Sequence, residues 1–274
     1  VKTLATDLDG TLYLDDLLIK GVESAYKSLI TDLDGTLYLD DLLIKGVESA
    51  YKSLILDNYK IYHTTNNSSQ STDVLAKKLS NLLNADIDLS SIVTPLVVLK
   101  EYLSNKKLSI FVYGSKDVKD FVSSISNTVT NIENSNFIIM GRVDSPSESE
   151  LDLIAESIKS GKEGATLNKD LTYPISESEF KPGNGQIAKY IESKSQKELQ
   201  SFGKEGELYS QYFLNKNIDV DYVIGDRVDT DIMFGNKLGA TSILVESSIE
   251  NFMSEDFADR KFKDFPTFVS SIIN

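Results

Sequence analysis

The chain has 274 residues, 41% of them hydrophobic and 26% charged, the profile of a soluble globular protein of one or two domains. Its formal charge of −14 argues against a nucleic-acid partner, because affinity for a phosphate backbone needs clustered Lys and Arg. With no Cys and a single His, His63, there is no disulfide, thiolate nucleophile, Cys-ligated zinc or multi-histidine site, so metal binding and acid–base chemistry fall to carboxylates.

Taken in chain order, the first feature is a repeat. TDLDGTLYLDDLLIKGVESAYKSLI runs from Thr6 to Ile30 and again, unchanged, from Thr31 to Ile55. Short apolar runs predict strands at 2–7, 27–32, 60–65, 108–114, 136–141, 220–226 and 241–245. Amphipathic segments predict helices at about 47–56, 72–82, 95–104, 115–125, 148–160, 185–194, 206–215 and 229–238. Thr94-Pro95 reads as an N-cap before an N1 proline, Ser115 as a second cap, and Gly161 and Gly239 as helix C-termini. The stretch ENFMSEDFADRKFKDF reads as a surface loop and helix with its Phe residues packing inward. No apolar run approaches the roughly 18 residues of a membrane helix, and no signal segment is present, so no membrane partner and a cytoplasmic location are expected.

Alternating strands and helices predict an α/β fold with a parallel, Rossmann-like sheet. The middle of the chain carries its own alternation, so it reads as a domain inserted into the first. The expected division is 1–26 as an extra copy of the repeated segment, 27–95 plus 199–274 as the core domain, and 96–198 as the inserted α/β domain.

Ligands in open α/β sheets bind beyond the carboxyl ends of the strands, and four strand ends here are unusually polar. In DLDGT, Asp32 and Asp34 point the same way because the side-chain period of a strand is two. TTNNSS (64–69) clusters hydroxyls and amides, Gly203-Lys204 precedes a helix, and GDRVDTD (225–231) holds Asp226 and Asp231 at a strand-to-helix turn. Carboxylates with a hydroxyl and an ammonium suit a hard cation such as Mg²⁺ and a phosphoryl group. One Asp can attack phosphorus and another can move the proton.

DLDGT, TTNNSS, FGK and GDRVDTD resemble the four motifs of the haloacid dehalogenase (HAD) superfamily of hydrolases, and more narrowly its p-nitrophenylphosphatase and phosphoglycolate-phosphatase-like branch. LNKDLTYP (167–174) resembles a substrate-facing segment of the large α/β cap that this branch carries between its second and third motifs. The resemblance implies a HAD core with an inserted cap and a Mg²⁺-dependent phosphatase acting on small phosphomonoesters through an aspartyl-phosphate. It implies Asp32 as nucleophile and metal ligand, and Asp34 as acid–base, with its carbonyl on the metal. Lys204 offsets charge, Thr65 and Asn66 hold the phosphate, Asp226 ligates the metal, Asp231 supports the metal's ligands, and Asn168 and Asp170 face the substrate. Two places depart from the pattern: Glu205, where the branch usually has Pro, and GATLNKD (164–170), which is shorter than usual.

Asp7 and Asp9 in the first copy match Asp32 and Asp34 by local sequence. Spacing separates them: 33 residues from Asp32 to Thr65 make an ordinary strand–helix–strand unit, whereas 58 residues from Asp7 leave a surplus. Asp32 and Asp34 are therefore the expected pair, with Asp7 and Asp9 as the alternative copy, since a looped-out insertion costs little. Phosphoryl transfer to another acceptor, or a non-catalytic protein whose nucleophile strand the duplication has displaced, are the rival readings. Lys181 before PGNG is the rival to Lys204, Arg227 is a candidate to steer an anion or to form a surface ion pair, and His63 reads as a packed strand residue. Asp15-Asp16 and Asp40-Asp41 read as solvated turn charges. Patterning leaves monomer and homo-oligomer both open.

Overall fold

The computed structural model describes residues 13–14, 17–18, 27–39, 41–176, 179–247, 251 and 253–273. The expected strand at 2–7, the copy-one pair Asp7 and Asp9, and Asp15-Asp16 lie outside them. Strands β1 (Tyr13–Leu14) and β2 (Leu17–Leu18) form a hairpin. Then follow β3 (Ser28–Asp32), a second hairpin β4 (Tyr38–Leu39) and β5 (Leu42–Leu43), α1 (Val47–Leu56), β6 (Lys60–Thr64), α2 (Thr72–Leu83), β7 (Ile92–Val93) and α3 (Pro95–Leu103). The two hairpins share one register, Tyr13 opposite Leu18 and Tyr38 opposite Leu43, as their identical sequences require. The middle of the chain contains β8 (Ile110–Tyr113), α4 (Lys116–Ile125), β9 (Thr128–Val129), β10 (Phe137–Met140), α5 (Glu148–Lys159), β11 (Glu163–Thr166), the hairpin β12 (Thr172–Ser176) and β13 (Glu179–Pro182), and α6 (Asn184–Ser195). The last part holds β14 (Gln200–Ser201), α7 (Glu207–Asn215), β15 (Tyr222–Gly225), α8 (Met233–Leu238), β16 (Thr241–Val245), β17 (Arg260–Phe262) and α9 (Phe265–Ile272).

Two parallel sheets result. The first has the order β17-β16-β15-β3-β6-β7, which puts β3 in its interior. The second has the order β14-β11-β10-β8-β9. The α/β architecture read from the alternation is the one observed. β14 belongs to the second sheet although it lies just beyond residue 198, where the middle segment was expected to end.

Strand residues alternate between faces, and in a parallel sheet both faces are covered. Leu29 packs with Leu54, Leu79 and Phe268 of α1, α2 and α9. Ile30, its neighbour, packs on the opposite side with Val223, Phe213 and Phe234. That second cluster runs on without a break into Ile110, Phe137 and Ile139 of the second sheet, so one apolar layer joins the two sheets. The far face of the second sheet, with Ile138 and Met140, is covered by α5 and α6 through Ile154 and Ile191.

The helix ends follow local chemistry. The Thr94 and Ser115 hydroxyls each accept from a backbone N–H three residues on, at 3.4 Å, and Gly239 caps α8 with φ of +72°. The expected helix at 229–238 begins instead as a π-helical turn over Val228–Ile232. In the C-terminal stretch Phe265 is fully buried, but Phe257 is 48% exposed, so the inward packing expected of that segment's aromatics holds only in part. No described helix is long and apolar enough to cross a membrane.

Candidate active site

Parallel pairing brings three of the polar strand ends side by side. Asp32 is opposite Thr64, and Thr31 is opposite Ile224, so DLDGT, TTNNSS and GDRVDTD leave adjacent strands at the same edge. Gly35 turns the chain with φ of +89°, and a Cβ there would lie 2.3 Å from Asp226 Oδ2. Both the turn and the close approach require glycine.

Beyond this edge the side-chain oxygens of Asp32, Asp226 and Asp231 lie within 4.8 Å of one another, all buried. Lys204, only 3% exposed, enters between them: its Nζ donates to Asp32 Oδ1 and to Asp231 Oδ1, each at 2.5 Å. Thr36 Oγ1 donates to Asp32 Oδ2 at 3.3 Å, and the Arg227 N–H donates to Asp231 Oδ2 at 3.1 Å. Asp34 Oδ2 accepts from the Tyr38 hydroxyl at 3.3 Å.

The electrostatics follow from burial. Desolvation pushes the Asp32 carboxyl well above its usual range; the Lys204 ammonium opposes this, and Asp231 and Asp226 add to it. Asp226 is pushed up to about 7, first by burial and then by Asp231. Burial works to lower Lys204, but Asp231 and Asp32 outweigh it and hold the ammonium charged. Among the described residues Asp226 Oδ2 has no hydrogen-bond partner, and it is buried. A cluster with more carboxylates than ammonium groups and an unused buried oxygen fits a hard divalent cation, which takes oxygen ligands and would remove the mutual repulsion.

A hydrogen-bond network extends from this cluster to the second sheet. Asn66 is its hub: Oδ1 accepts from the Lys204 N–H at 2.8 Å, and Nδ2 donates to Asp170 Oδ1 and Glu205 Oε2, both at 3.1 Å. The Asn66 carbonyl accepts from Asn168 Nδ2 at 2.9 Å. Asn168 Oδ1 in turn accepts from the Asp170 N–H at 3.2 Å, so Asn168 makes an Asx-type turn as well as a bridge between sheets. Burial pushes Asp170 up to about 6, although Arg227 pulls it the other way from 3.3 Å. Arg227 also donates twice to Asp229, at 2.8 and 3.1 Å. Thr65 Oγ1 accepts from the Asn67 N–H at 3.0 Å.

One cavity of about 240 Å³ is lined by Asp32, Asp34, Thr65, Asn66, Asn168, Asp170, Lys204, Asp226 and Asp231. Every expected site residue within the described range thus reaches a single space. Other candidates are elsewhere. Lys181 is exposed on β13, and His63 is buried away from the cavity, its ring nitrogens paired with the Tyr51 hydroxyl at 3.1 Å and Ser91 Oγ at 3.0 Å. The Asp41 side chain is 93% exposed. Glu205, noted in the sequence only as a departure from a pattern, accepts from the Lys169 N–H at 2.7 Å and Ser201 Oγ at 2.5 Å besides Asn66. Arg142 also lines the cavity and carried no motif by which to find it, whereas Tyr173, which lines it too, lies within the LNKDLTYP stretch.

Residues 29–126 match the family described as haloacid dehalogenase-like hydrolase, and residues 208–270 match a HAD-hydrolase-like family. The chain belongs to the haloacid dehalogenase-like hydrolases. The resemblance carried by DLDGT and GDRVDTD is therefore upheld, and the chain is an enzyme of the hydrolase class. It is 27% identical over 228 residues to an acid sugar phosphatase of Staphylococcus haemolyticus, an alignment that covers 79% of this chain and 86% of that one. The fold of this HAD-like hydrolase superposes on 4-nitrophenylphosphatase from Thermotoga maritima with a TM-score of 0.76 and 25% identity, covering 89% of this chain and 97% of that one. It shares its fold, at 21% identity and a TM-score of 0.76, with a glycerol phosphate phosphatase from Mycobacterium tuberculosis solved with magnesium; 91% of this chain and 79% of that one are covered.

Proposed function

We propose that this hydrolase is a Mg²⁺-dependent phosphatase that cleaves small phosphomonoesters through an aspartyl-phosphate on Asp32. The observation that carries the reading is the buried Lys204 ammonium, 2.5 Å from both Asp32 and Asp231, at the carboxyl edge of a parallel sheet. The relatives named acid sugar phosphatase and 4-nitrophenylphosphatase support it, and the magnesium in the mycobacterial fold relative supports the choice of metal.

Asp32, the Asp34 carbonyl and Asp226 would hold the Mg²⁺, with Asp231 supporting them, and the bound ion would offset charge on the phosphoryl oxygens. Lys204 stays protonated and orients Asp32 for attack. The Thr65 hydroxyl donates to a phosphoryl oxygen, and Asn66, whose amide holds the Lys204 backbone, fixes the geometry of the pocket. An Asp32 oxygen forms a bond to phosphorus as the ester P–O bond breaks, and Asp34, held by Tyr38, gives its proton to the leaving alcohol. Asp34 then takes a proton from water, which attacks phosphorus, frees Asp32 and releases inorganic phosphate. Asn168 and Asp170, in the loop that follows β11, also line the cavity and would help to limit bulk water during these steps.

The test is hydrolysis of p-nitrophenyl phosphate with Mg²⁺ and with EDTA, by the parent, Asp7→Asn and Asp32→Asn. Activity that needs the metal, survives Asp7→Asn and disappears in Asp32→Asn is the expected result. An inactive parent would sink the proposal, and activity lost only in Asp7→Asn would move the nucleophile to the first copy.

A further inference from the structure

Tyr209 is fully buried in the first turn of α7, five residues after Lys204. Burial pushes its phenol up, while the Lys204 ammonium and the Thr65 N–H pull the other way; the hydroxyl stays protonated and can donate. Its proton goes to the Val93 carbonyl of β7, at 2.6 Å. The same carbonyl accepts from the Thr65 N–H at the longer distance of 3.3 Å. A carbonyl oxygen has two lone pairs and can hold both donors. The Tyr209 ring meets Phe234 edge-on, with centroids 5.2 Å apart, and leans on Phe213 at 6.1 Å, so packing fixes where the hydroxyl sits.

The segment that brings Lys204 to Asp32 therefore grips the TTNNSS loop at two points. The Lys204 N–H holds the Asn66 side chain at 2.8 Å, and the Tyr209 hydroxyl holds the carbonyl on which the Thr65 backbone rests. Thr65 Oγ1 accepts from the Asn67 N–H, which leaves its own proton for an acceptor in the cavity it lines. Tyr209 is not among the residues that line that cavity, so any effect on it passes through Thr65. With the hydroxyl gone, the long Thr65 contact can contract toward the common N–H···O distance of about 2.9 Å and carry the side chain with it.

We propose that Tyr209 is a positioning residue: through the Val93 carbonyl, its hydroxyl sets where Thr65 meets the phosphoryl group. This rests on the phosphatase reading above, in which Thr65 donates to a phosphoryl oxygen.

The experiment is a double-mutant cycle on kcat/KM for p-nitrophenyl phosphate with Mg²⁺, using the parent, Tyr209→Phe, Thr65→Val and the double variant. Tyr209→Phe keeps the ring and its packing, and is expected to lower kcat/KM by about 10-fold, since small misplacements beside the reacting atoms are costly. In the Thr65→Val background the same change has no further effect, because the hydroxyl that Tyr209 positions is already absent. A residue that only supports the fold would lower kcat/KM by the same factor in both backgrounds. That result overturns the proposal, as does an unchanged kcat/KM in Tyr209→Phe. Hydrogen exchange at the Thr65 amide gives a readout that needs no turnover. It should be about 10-fold faster in Tyr209→Phe, with the His63 amide of β6 unchanged, and equal rates at Thr65 overturn the proposal. Should Tyr209→Phe fail to fold, the parent's Thr65 amide decides: exchange only on global unfolding supports the anchor, and exchange at the rate of an open loop overturns it. If the parent hydrolyses no ester, the phosphatase reading fails and the role of Tyr209 falls with it. If the parent is active and the cycle shows no coupling, the phosphatase reading stands alone.

Discussion

Lys204 Nζ and Asp32 Oδ1 lie 2.5 Å apart, 172 residues apart in sequence, with neither side chain more than 8% exposed. A buried ion pair of this kind is poor evidence for stability in itself, but removal of one partner leaves the other uncompensated. Lys204→Met is expected to lower kcat for phosphate-ester hydrolysis by at least about 100-fold. It should also destabilise the fold by about 3–5 kcal/mol at pH 8 in urea unfolding, because three carboxylates lose their ammonium. The destabilisation should shrink at pH 5, where the carboxylates can take up protons. Unchanged kcat would remove Lys204 from the chemistry.

Ile30 explains why the strand beside the second DLDGT can fill the interior of the sheet. It is fully buried, whereas the matching residue ahead of the first DLDGT is Ala5. Ile30→Ala is expected to cost about 2–5 kcal/mol of unfolding free energy. A chain lacking residues 1–25 should keep the melting temperature and the activity of the parent. A large loss in that truncated chain would show that the first copy contributes to the folded core.

Glu205 ties three segments together through Lys169 N–H, Ser201 Oγ and Asn66 Nδ2. Glu205→Ala is expected to leave those donors unmatched and to lower stability by about 1–3 kcal/mol. Faster hydrogen exchange at the Lys169 amide should accompany it, since the LNKD segment loses its anchor to the Lys204 loop. Unchanged exchange at that amide would contradict the anchoring role.

His63 gives a pH dependence with a definite sign. Burial lowers it to about 4, below the value of about 6.5 that it has in an unfolded chain. The unfolded state therefore takes the proton first. The neutral buried ring contributes its full stability above about pH 6.5, and that contribution is lost as the pH falls to about 4, by up to about 3 kcal/mol. Urea unfolding at pH 7.5 and pH 4.5 should show a smaller loss in His63→Gln than in the parent. The same loss in both would mean that His63 does not carry this dependence.

The motifs were legible because their chemistry is local. Asp32 and Asp34 are two residues apart on a strand, and the turn at Gly35 is written in the sequence. What stayed hidden depends on distant segments meeting. Glu205 acquires its role only when Lys169 and Ser201 come to it, and Arg142 its stacking partner only when Tyr173 of the β12–β13 hairpin lies beneath it. That hairpin itself was hidden by Pro174, which weakens the strand pattern. Helix α9 was missed although Asp264 and Pro266 write its start: Asp264 Oδ1 accepts from the Thr267 N–H at 2.8 Å. Its short, mostly apolar run does not by itself distinguish helix from strand.

β3 takes Ser28, Leu29 and Ile30 from the end of one repeat and Thr31 and Asp32 from the beginning of the next. The repeat thus closes on the residues that its successor needs. KSLI precedes the motif wherever two units meet, KTLA precedes it at the head, and only the final unit runs on into LDNYKIYHTT and the return strand β6. Replication slippage by one whole unit would therefore keep the reading frame and rebuild the same reaction centre. Alleles differing by 25 residues at this point should encode equally competent enzymes, so selection would have little grip on the number of copies.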